Sequence, residues 1–229
     1  MLRPKKKISK KEIKQDALVT TYARVTAYYE ENKRTIGIAT TVIALAVIAI
    51  LVMLKNRSDA NESAMLQLGQ VQELFAGGQY QAAIDGVPER NVPGLKAIVD
   101  NYGSSRGGEL ARFMLASALF ELGKYDEALQ QFEDFSAPDA MLAASRFAGI
   151  AQCYEARKNY KEAAEYFEKA AGKNTKDISA PEYLSHAARN YGLTGEKERA
   201  IELYKRLKKN YPASQYARDV DRFIAQMSL

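Results

Sequence analysis

A predominantly apolar run extends from Ile36 to Leu54 and contains no charged residue. As an α-helix these 19 residues extend about 28 Å, which matches the hydrocarbon thickness of a bilayer. Basic residues flank the run on both sides, at Lys33, Arg34, Lys55 and Arg57. We therefore predict a single transmembrane anchor over residues 35–55.

Two alternatives compete with a retained anchor. A cleaved signal peptide has a shorter apolar core, which a cleavage site made of small residues follows. This run is longer, and Lys-Asn-Arg follows it instead. A buried core helix of a soluble protein is the third option, but no polar face interrupts the run. The pattern favours the anchor.

Beyond residue 56 the pattern changes to a repeated motif, Gly-x-Tyr-x-x-Ala, with substitutions in the later copies. Its four copies are Gly78–Ala83, Gly123–Ala128, Lys158–Ala163 and Gly195–Ala200. The central tyrosines of two copies, Tyr125 and Tyr160, are 35 residues apart, and an apolar segment precedes each motif. This period and pattern resemble the tetratricopeptide repeat, a helix–turn–helix unit of about 34 residues.

Each motif position has a physical role in such a unit. Gly123 can adopt the positive φ that ends the first helix, and Ala128 is small enough for the second helix to cross the first closely. Phe132 then fills the space toward the next unit. A helix pair cannot bury its apolar face alone, so neighbouring units stack. We predict an all-α chain: one transmembrane helix, an α-solenoid of about four units, and a capping helix from Ala217 to Met227.

The first unit departs from the repeat. Pro88 and Pro93 prevent a helix from continuing after Ala83, so residues 84–108 form an insertion. Within it, residues 95–102 are predicted to be a short helix and residues 103–108 a flexible loop. The insertion is interpreted either as an irregular terminal repeat or as a binding loop, and it could occupy the groove.

Charge divides the chain at the apolar run. Residues 1–34 carry ten basic and four acidic side chains, a net charge of +6, whereas the whole chain is +5. Residues 35–229 are therefore at −1, which makes nucleic-acid binding a poor expectation. The basic excess predicts a cytoplasmic tail at residues 1–34 and a domain at residues 56–229 on the other side of the membrane.

The tail has its own amphipathic pattern. Ser9 and Glu12 form a potential capping box, and apolar positions such as Val25 follow at helical spacing. Tyr28 and Tyr29 precede the run where aromatic rings favour the membrane interface. The residues predicted to fix the anchor are Tyr28, Tyr29, Lys33, Arg34, Lys55 and Arg57. The helix either lies on the inner leaflet or packs on a partner's helix.

No pattern indicates catalysis. The chain has one histidine, His186, and one cysteine, Cys153, and it lacks the glycine-rich loops and nucleophile motifs of common enzyme families. Both residues are interpreted as packing or surface residues. We expect no catalytic residue, no cofactor and no metal.

A partner is expected to bind the groove that the first helix of each unit lines. Aligning Tyr125 with Tyr160 assigns positions to this groove in the second, third and fourth units. They are Leu110, Phe113, Ser117, Phe120, Gln152, Glu155, Glu182, Ser185 and Arg189. The surface is apolar at its start and polar at its end, which suits an extended or helical protein segment. The alternative is that the insertion buries Phe113 and Phe120.

The order of elements adds a resemblance to a family. An uncleaved anchor, a short linker and a periplasmic tetratricopeptide domain resemble the YfgM-like family. Tyr28–Lys33 before the run resembles that family's lead-in. The 83–94 segment and Tyr211-Pro-x-Ser214 resemble its version in the Bacteroidota and green sulfur lineages. The resemblance implies an ancillary subunit of the Sec translocon that binds periplasmic chaperones, a function carried over by analogy.

Two classes of function remain open at this stage. The first is a membrane-anchored interaction scaffold with protein partners: translocon subunits, periplasmic chaperones or secreted clients. The second is a self-associating, homo-oligomeric organiser of an envelope complex that binds no client. Translocon subunits should co-purify in mild detergent only in the first case.

Overall fold

The computed structural model describes residues 10–173, 175, 176 and 178–228, and their side chains from Val19 onward. Within these ranges the regular structure is helical apart from one small hairpin. The α-helices are α1 (Lys10–Ala76), α2 (Tyr80–Asp85), α3 (Leu95–Tyr102), α4 (Arg106–Glu121), α5 (Tyr125–Asp134), α6 (Ala140–Ala156), α7 (Tyr160–Lys173), α8 (Ala180–Leu193), α9 (Lys197–Asn210) and α10 (Val220–Met227). The strands β1 (Gly86–Val87) and β2 (Val92–Pro93) enclose a 3-10 turn, and a second 3-10 turn precedes α10.

Helix α1 contains both the apolar run and the first helix of the repeat array. The chain divides into two compact units, residues 1–56 and 57–229, so the last part of α1 belongs to the second unit. The family resemblance suggested a linker after the run. The helix continues there instead, because residues 55–63 contain neither Gly nor Pro to stop it.

The apolar run is exposed within the first unit. Among the described residues, α1 is the one helix long and apolar enough to cross a membrane, and none of its most apolar stretch is buried. This exposure excludes the interpretation of the run as a buried core helix. The predicted capping box of Ser9 and Glu12 lies outside the described side chains.

Residues 57–229 form an array of helix pairs. The end of α1 pairs with α2 along the chain, and the pairs α4–α5, α6–α7 and α8–α9 follow, with each helix from α4 to α9 packed on the next. Helix α10 packs against α9 and closes the array. Two buried clusters form the core, and Phe147, Tyr154 and Tyr166 pack against both of them. The predicted solenoid of about four units with a C-terminal capping helix is confirmed.

The turn between the helices of each pair has one conformation in all four copies. The residue at the first motif position has positive φ: 71° at Gly78, 74° at Gly123, 63° at Lys158 and 84° at Gly195. In the second repeat unit the Gly123 amide donates to the Phe120 carbonyl at 2.9 Å, and the Lys124 amide donates to the Leu119 carbonyl at 2.9 Å. These two bonds form a Schellman cap, so the predicted turn geometry at Gly123 is confirmed.

Small residues lie where helices approach most closely. Ala128, Ala163 and Ala200 are fully buried in the second helices of their units, as the motif predicts. One close approach lies outside the motif: a Cβ added to Gly107 would lie 2.8 Å from the Ala64 Cβ. The contact joins α1 to α4, and Ala64 is itself fully buried.

The insertion is ordered and packs against the core. β1 and β2 pair antiparallel, and Val87 opposite Val92 is partly buried against the first cluster. The short helix predicted at residues 95–102 is confirmed as α3. The expected flexible loop at residues 103–108 is wrong in its second half, because the Ser105 hydroxyl accepts from the Gly108 amide at 3.0 Å and caps α4.

The C-terminal capping helix is shorter than predicted. Residues Gln215–Ala217 form a 3-10 turn, and α10 begins only at Val220. The hydroxyl of Ser214 accepts from the Tyr216 amide at 3.3 Å, which favours a separate turn over a longer helix. Val220 is fully buried, and α10 keeps the predicted role of closing the array.

The turn of the third unit generates a stability prediction. We expect Lys158→Gly to raise the free energy of unfolding of the 57–229 unit by about 0.5–1 kcal/mol, because Gly adopts positive φ without the steric cost of an L side chain. The reciprocal change, Gly123→Lys, should lower it by about 1 kcal/mol. Urea unfolding measures both, and a loss of stability in Lys158→Gly would contradict the assigned turn.

Candidate partner-binding groove

The predicted groove residues lie on α4, α6 and α8, the first helices of the second, third and fourth units. They fall into two groups with different surroundings. The group on α4 is Leu110, Phe113, Ser117 and Phe120. The group on α6 and α8 is Gln152, Glu155, Glu182, Ser185 and Arg189.

Phe113 and Phe120 are partly buried by the second helix of their own unit. The Phe113 ring lies 5.6 Å from the Phe132 ring and 5.4 Å from the Phe135 ring, measured between centroids. The Phe120 ring lies 5.3 Å from the Tyr125 ring. These ring contacts are therefore with α5 and the residue after it rather than with the insertion. Each phenylalanine leaves part of its ring exposed for an apolar contact.

Charged residues connect the third unit to the fourth. A nitrogen of the Arg189 guanidinium on α8 lies 2.5 Å from a carboxylate oxygen of Glu155 on α6. The same guanidinium lies 2.9 Å from the His186 Nδ1, and the His186 Nε2 lies 3.8 Å from a Glu182 carboxylate oxygen. The structure thus brings Glu155, Glu182 and Arg189 into one network. Exposed Gln152 lies on the same helix as Glu155.

His186 is the centre of this network, although the sequence suggested only a packing or surface role. Its ring stacks on Phe167 of α7, with centroids 4.9 Å apart and planes inclined by 22°. Burial lowers the pKa of His186 below its usual value, and the positive charge of Arg189 lowers the pKa further, whereas Glu155 and Glu182 raise it. The neutral ring is therefore favoured, and it can accept a hydrogen bond from Arg189 at Nδ1.

Ser185 and Arg189 line a cavity of about 470 Å³ under the capping helix. Tyr204 of α9 and Phe223 of α10 form part of its wall, and their rings stack with centroids 5.3 Å apart. Met227 closes another side, where its terminal carbon would lie 2.5 Å from a Cβ added to Gly192. The polar end of the predicted groove therefore continues into an aromatic recess.

Leu110 lines a second cavity of about 640 Å³ at the other end of the domain. Its walls come from the part of α1 that begins at Arg57, from the N-terminus of α4 and from the loop between α5 and α6. Apolar wall residues include Met65, Phe135 and Leu142, and Arg57 and Arg106 supply positive charge. Arg57, which was predicted to flank the membrane, is thus also a cavity residue.

The sequence missed this second cavity because distant segments form it. The Asn61 side chain accepts from the Gly107 amide at 2.9 Å and holds α1 against the start of α4. The Glu109 carboxylate accepts from the Ser136 amide at 2.8 Å and fixes the loop before α6. The small residues Gly107 and Ala64 could have indicated the contact between α4 and α1 only if the pairing of these two helices were known.

Reactive chemistry has little support among the described side chains. Burial raises the pKa of the Cys153 thiol to about 12, so the thiolate is disfavoured. The described residues contain no cluster of three or more His, Cys, Asp and Glu side chains suited to a metal ion.

The environment of His186 predicts a pH dependence. Because its folded pKa lies below the unfolded value, its contribution to stability is present above about pH 6.5 and is lost as the pH falls through the folded pKa. His186→Phe keeps a ring beside Phe167 but cannot be protonated. We expect the stability of the wild type relative to this variant to fall between about pH 8 and about pH 5. A difference that stays constant over this range would contradict the assigned environment.

Comparisons with known proteins address the repeat. Two family models, both described as tetratricopeptide repeat, match the array: one at residues 110–137 and 182–214, the other at residues 144–172. The first model therefore covers the second and fourth repeat units, and the other model covers the third. A search of curated proteins gives no match.

Solved structures show the same fold at low identity. The TPR-like repeats of a Podosopora anserina protein described as a kinesin light chain align with a TM-score of 0.54 at 16% identity, over 70% of this chain and 82% of that one. RapI in its apo form aligns with a TM-score of 0.59 at 16% identity, over 72% of this chain and 47% of that chain.

A Rap protein complexed with Competence and Sporulation Factor aligns with a TM-score of 0.53 at 18% identity, over 73% of this chain and 46% of that chain. This chain therefore spans about half the length of the Rap proteins. The matches identify the repeat and not the narrower YfgM-like family. The chain carries tetratricopeptide repeats stacked as an α-solenoid, an architecture that serves as a scaffold for protein–protein interaction.

Proposed function

We propose that this protein is a membrane-anchored scaffold that binds a protein segment along α4, α6 and α8. The observation that carries the proposal is the mixed character of these helices within one repeat array. Partly exposed rings at Phe113 and Phe120 are followed along the array by exposed Gln152 and by the network of Glu155 and Arg189. Apolar rings supply anchoring contacts, and polar groups orient a ligand.

An extended or helical segment suits this surface better than a polyanion. Residues 35–229 have a net charge near zero, and Arg189 is already paired with Glu155. Binding should therefore depend mainly on buried apolar contacts and hydrogen bonds. Its affinity should fall only modestly with added salt, unlike that of a surface for phosphate backbones.

The apolar run and the charges beside it support a location for the scaffold. The apolar run of α1 is long enough to cross a bilayer, and ten basic residues precede it whereas two, Lys55 and Arg57, follow it closely. This asymmetry favours a cytoplasmic N-terminus and a periplasmic repeat domain in a bacterial inner membrane. The partners that fit this place and the family resemblance are translocon subunits, periplasmic chaperones and secreted clients.

Topology is the first test of this proposal. A reporter that is active only in the periplasm should be active when it is fused after Leu229, because the basic asymmetry orients the span. N-terminal sequencing of the membrane-bound protein should find residues near Met1. Activity only from a cytoplasmic reporter would contradict the orientation, and a start just after the run would indicate cleavage of the anchor.

Capture of partners tests the groove. We expect Gln152→Trp to reduce co-purification of translocon subunits or periplasmic chaperones severalfold in mild detergent. A bulky ring at this exposed position of α6 would obstruct the bound protein segment. Glu162→Trp is the matched control, since Glu162 is also exposed but lies on α7, the second helix of the same unit. Quantitative mass spectrometry of the purified complexes measures capture, and thermal unfolding checks that both variants fold.

Equal capture by the two variants would contradict binding at the first helices. Co-purification of the chain with itself alone would contradict client binding and favour the role of a self-associating organiser.

A further inference from the structure

Helix α1 carries a continuous apolar seam that begins before the membrane run and extends through it. Its positions alternate in steps of three and four residues, which is the heptad spacing of a coiled coil. We call this set the α1 seam: Tyr22, Val25, Tyr29, Asn32, Ile36, Ala39, Ile43, Ala46, Ile50 and Met53. Asn32 is its one polar member.

The part of the α1 seam before the membrane run is exposed. Tyr22 is 72% exposed, Val25 is 61% exposed and Tyr29 is 53% exposed. Large apolar side chains of this kind, aligned on one face of a helix, mark a surface that another molecule covers. The question is whether lipid or a second helix covers it.

The continuity of α1 argues against lipid as the cover for the start of the α1 seam. Tyr22 precedes Ile36 by 14 residues, which is about 21 Å along a helix axis. To lie on the inner leaflet, this segment must bend sharply before the span. The structure has one unbroken helix from Lys10 to Ala76, so Tyr22 and Val25 extend away from the bilayer. A second helix is the cover that this geometry allows.

We propose that the α1 seam is the interface of a parallel homodimer, an inference that rests on the membrane anchoring of the proposed function. Two identical anchors cross the bilayer in the same direction and at the same depth. Every position of the α1 seam therefore meets its own copy without adjustment of register. An unrelated helix would need a matching pattern both in water and in lipid.

Asn32 supports a second copy as the partner. Its Nδ2 donates to the Tyr28 carbonyl at 2.9 Å within the helix, and its Oδ1 can accept a further hydrogen bond. In a parallel pair the two Asn32 side chains lie at one level, so they can bond to each other. Against an apolar helix the Asn32 Oδ1 would be buried without a hydrogen-bond partner. An amide that can pair with its own copy favours this register over an offset one, because a buried polar atom without a hydrogen-bond partner costs free energy.

The alternation of side-chain size within the run also fits a pair of helices. In the heptad register of the α1 seam, Asn32 is at position d and the β-branched residues Ile36, Ile43 and Ile50 are all at position a, where they favour two strands. Ala39 and Ala46 fall at the other seam position, where small side chains let two backbones approach closely in lipid. The same register thus serves both halves of the α1 seam.

Cysteine crosslinking of the full-length protein in native membranes tests the homodimer. The background variant is Cys153→Ala, which removes the chain's one cysteine. Tyr22→Cys, Val25→Cys and Tyr29→Cys place a thiol on the α1 seam, whereas Ala23→Cys, Ala27→Cys and Glu30→Cys place it on other faces. We expect mild oxidation to yield a species of twice the chain mass several times more efficiently for the first set.

Two results would overturn the homodimer: yields that do not follow the seam, and seam crosslinks that lead to another protein. A charge at the predicted contact adds a second arm. Asn32→Asp should reduce crosslinking through Val25→Cys severalfold, because two carboxylates would face each other. Ala27→Asp introduces the same charge off the α1 seam and should leave the yield unchanged. Equal effects of the two Asp variants would contradict the assigned register.

This test is separable from the test of the groove. The 57–229 unit is compact and contains both buried clusters without residues 1–56, so its capture of partners can be measured alone. Loss of seam crosslinking with capture intact would overturn the homodimer only. Seam crosslinking without capture would overturn the proposed groove function only.

Discussion

Close crossing of neighbouring helices is the constraint on which the repeat domain depends. Neither helix of a pair can bury its apolar face alone, so each core residue needs a neighbour from the next helix along the array. Fully buried Ala128, Ala163 and Ala200 keep those crossings tight, and Phe147, Tyr154 and Tyr166 join the two core clusters into one stack. α10 then covers the last pair, where an exposed apolar face would otherwise remain.

Local signals in the sequence predicted the fold well, because the repeat depends on short-range geometry. The motif located four turns, and Lys158 shows that the positive φ follows from how the helix ends even where Gly is absent. Contacts between distant segments could not be predicted. The hydrogen bond from the Gly107 amide to Asn61, and the neighbouring contact with Ala64, depend on how α1 meets α4. The His186 network depends on three helices. The sequence therefore predicted which helices carry the candidate groove residues, but not the contacts that those residues make.

The structure relates the groove to stability and to assembly. Phe113 and Phe120 pack their rings against Phe132 and Tyr125, so the apolar anchors of the proposed groove are rigid rather than freely mobile. The Glu155–Arg189 pair orients the polar end and links successive units. Within residues 1–56, the α1 seam would bring two copies of the chain together, so that two repeat domains could act at one place in the membrane.

Site-specific photocrosslinking in native membranes tests the central claim most directly. A photoreactive amino acid at Ser185, on α8 beside the aromatic recess, should crosslink to a protein partner, whereas the same group at exposed Glu198 on α9 should give little product. Mass spectrometry of the Ser185 products should identify a segment of a translocon subunit, a periplasmic chaperone or a secreted protein. Equal crosslinking from both positions, or products from Glu198 alone, would contradict a groove formed by the first helices of the repeats.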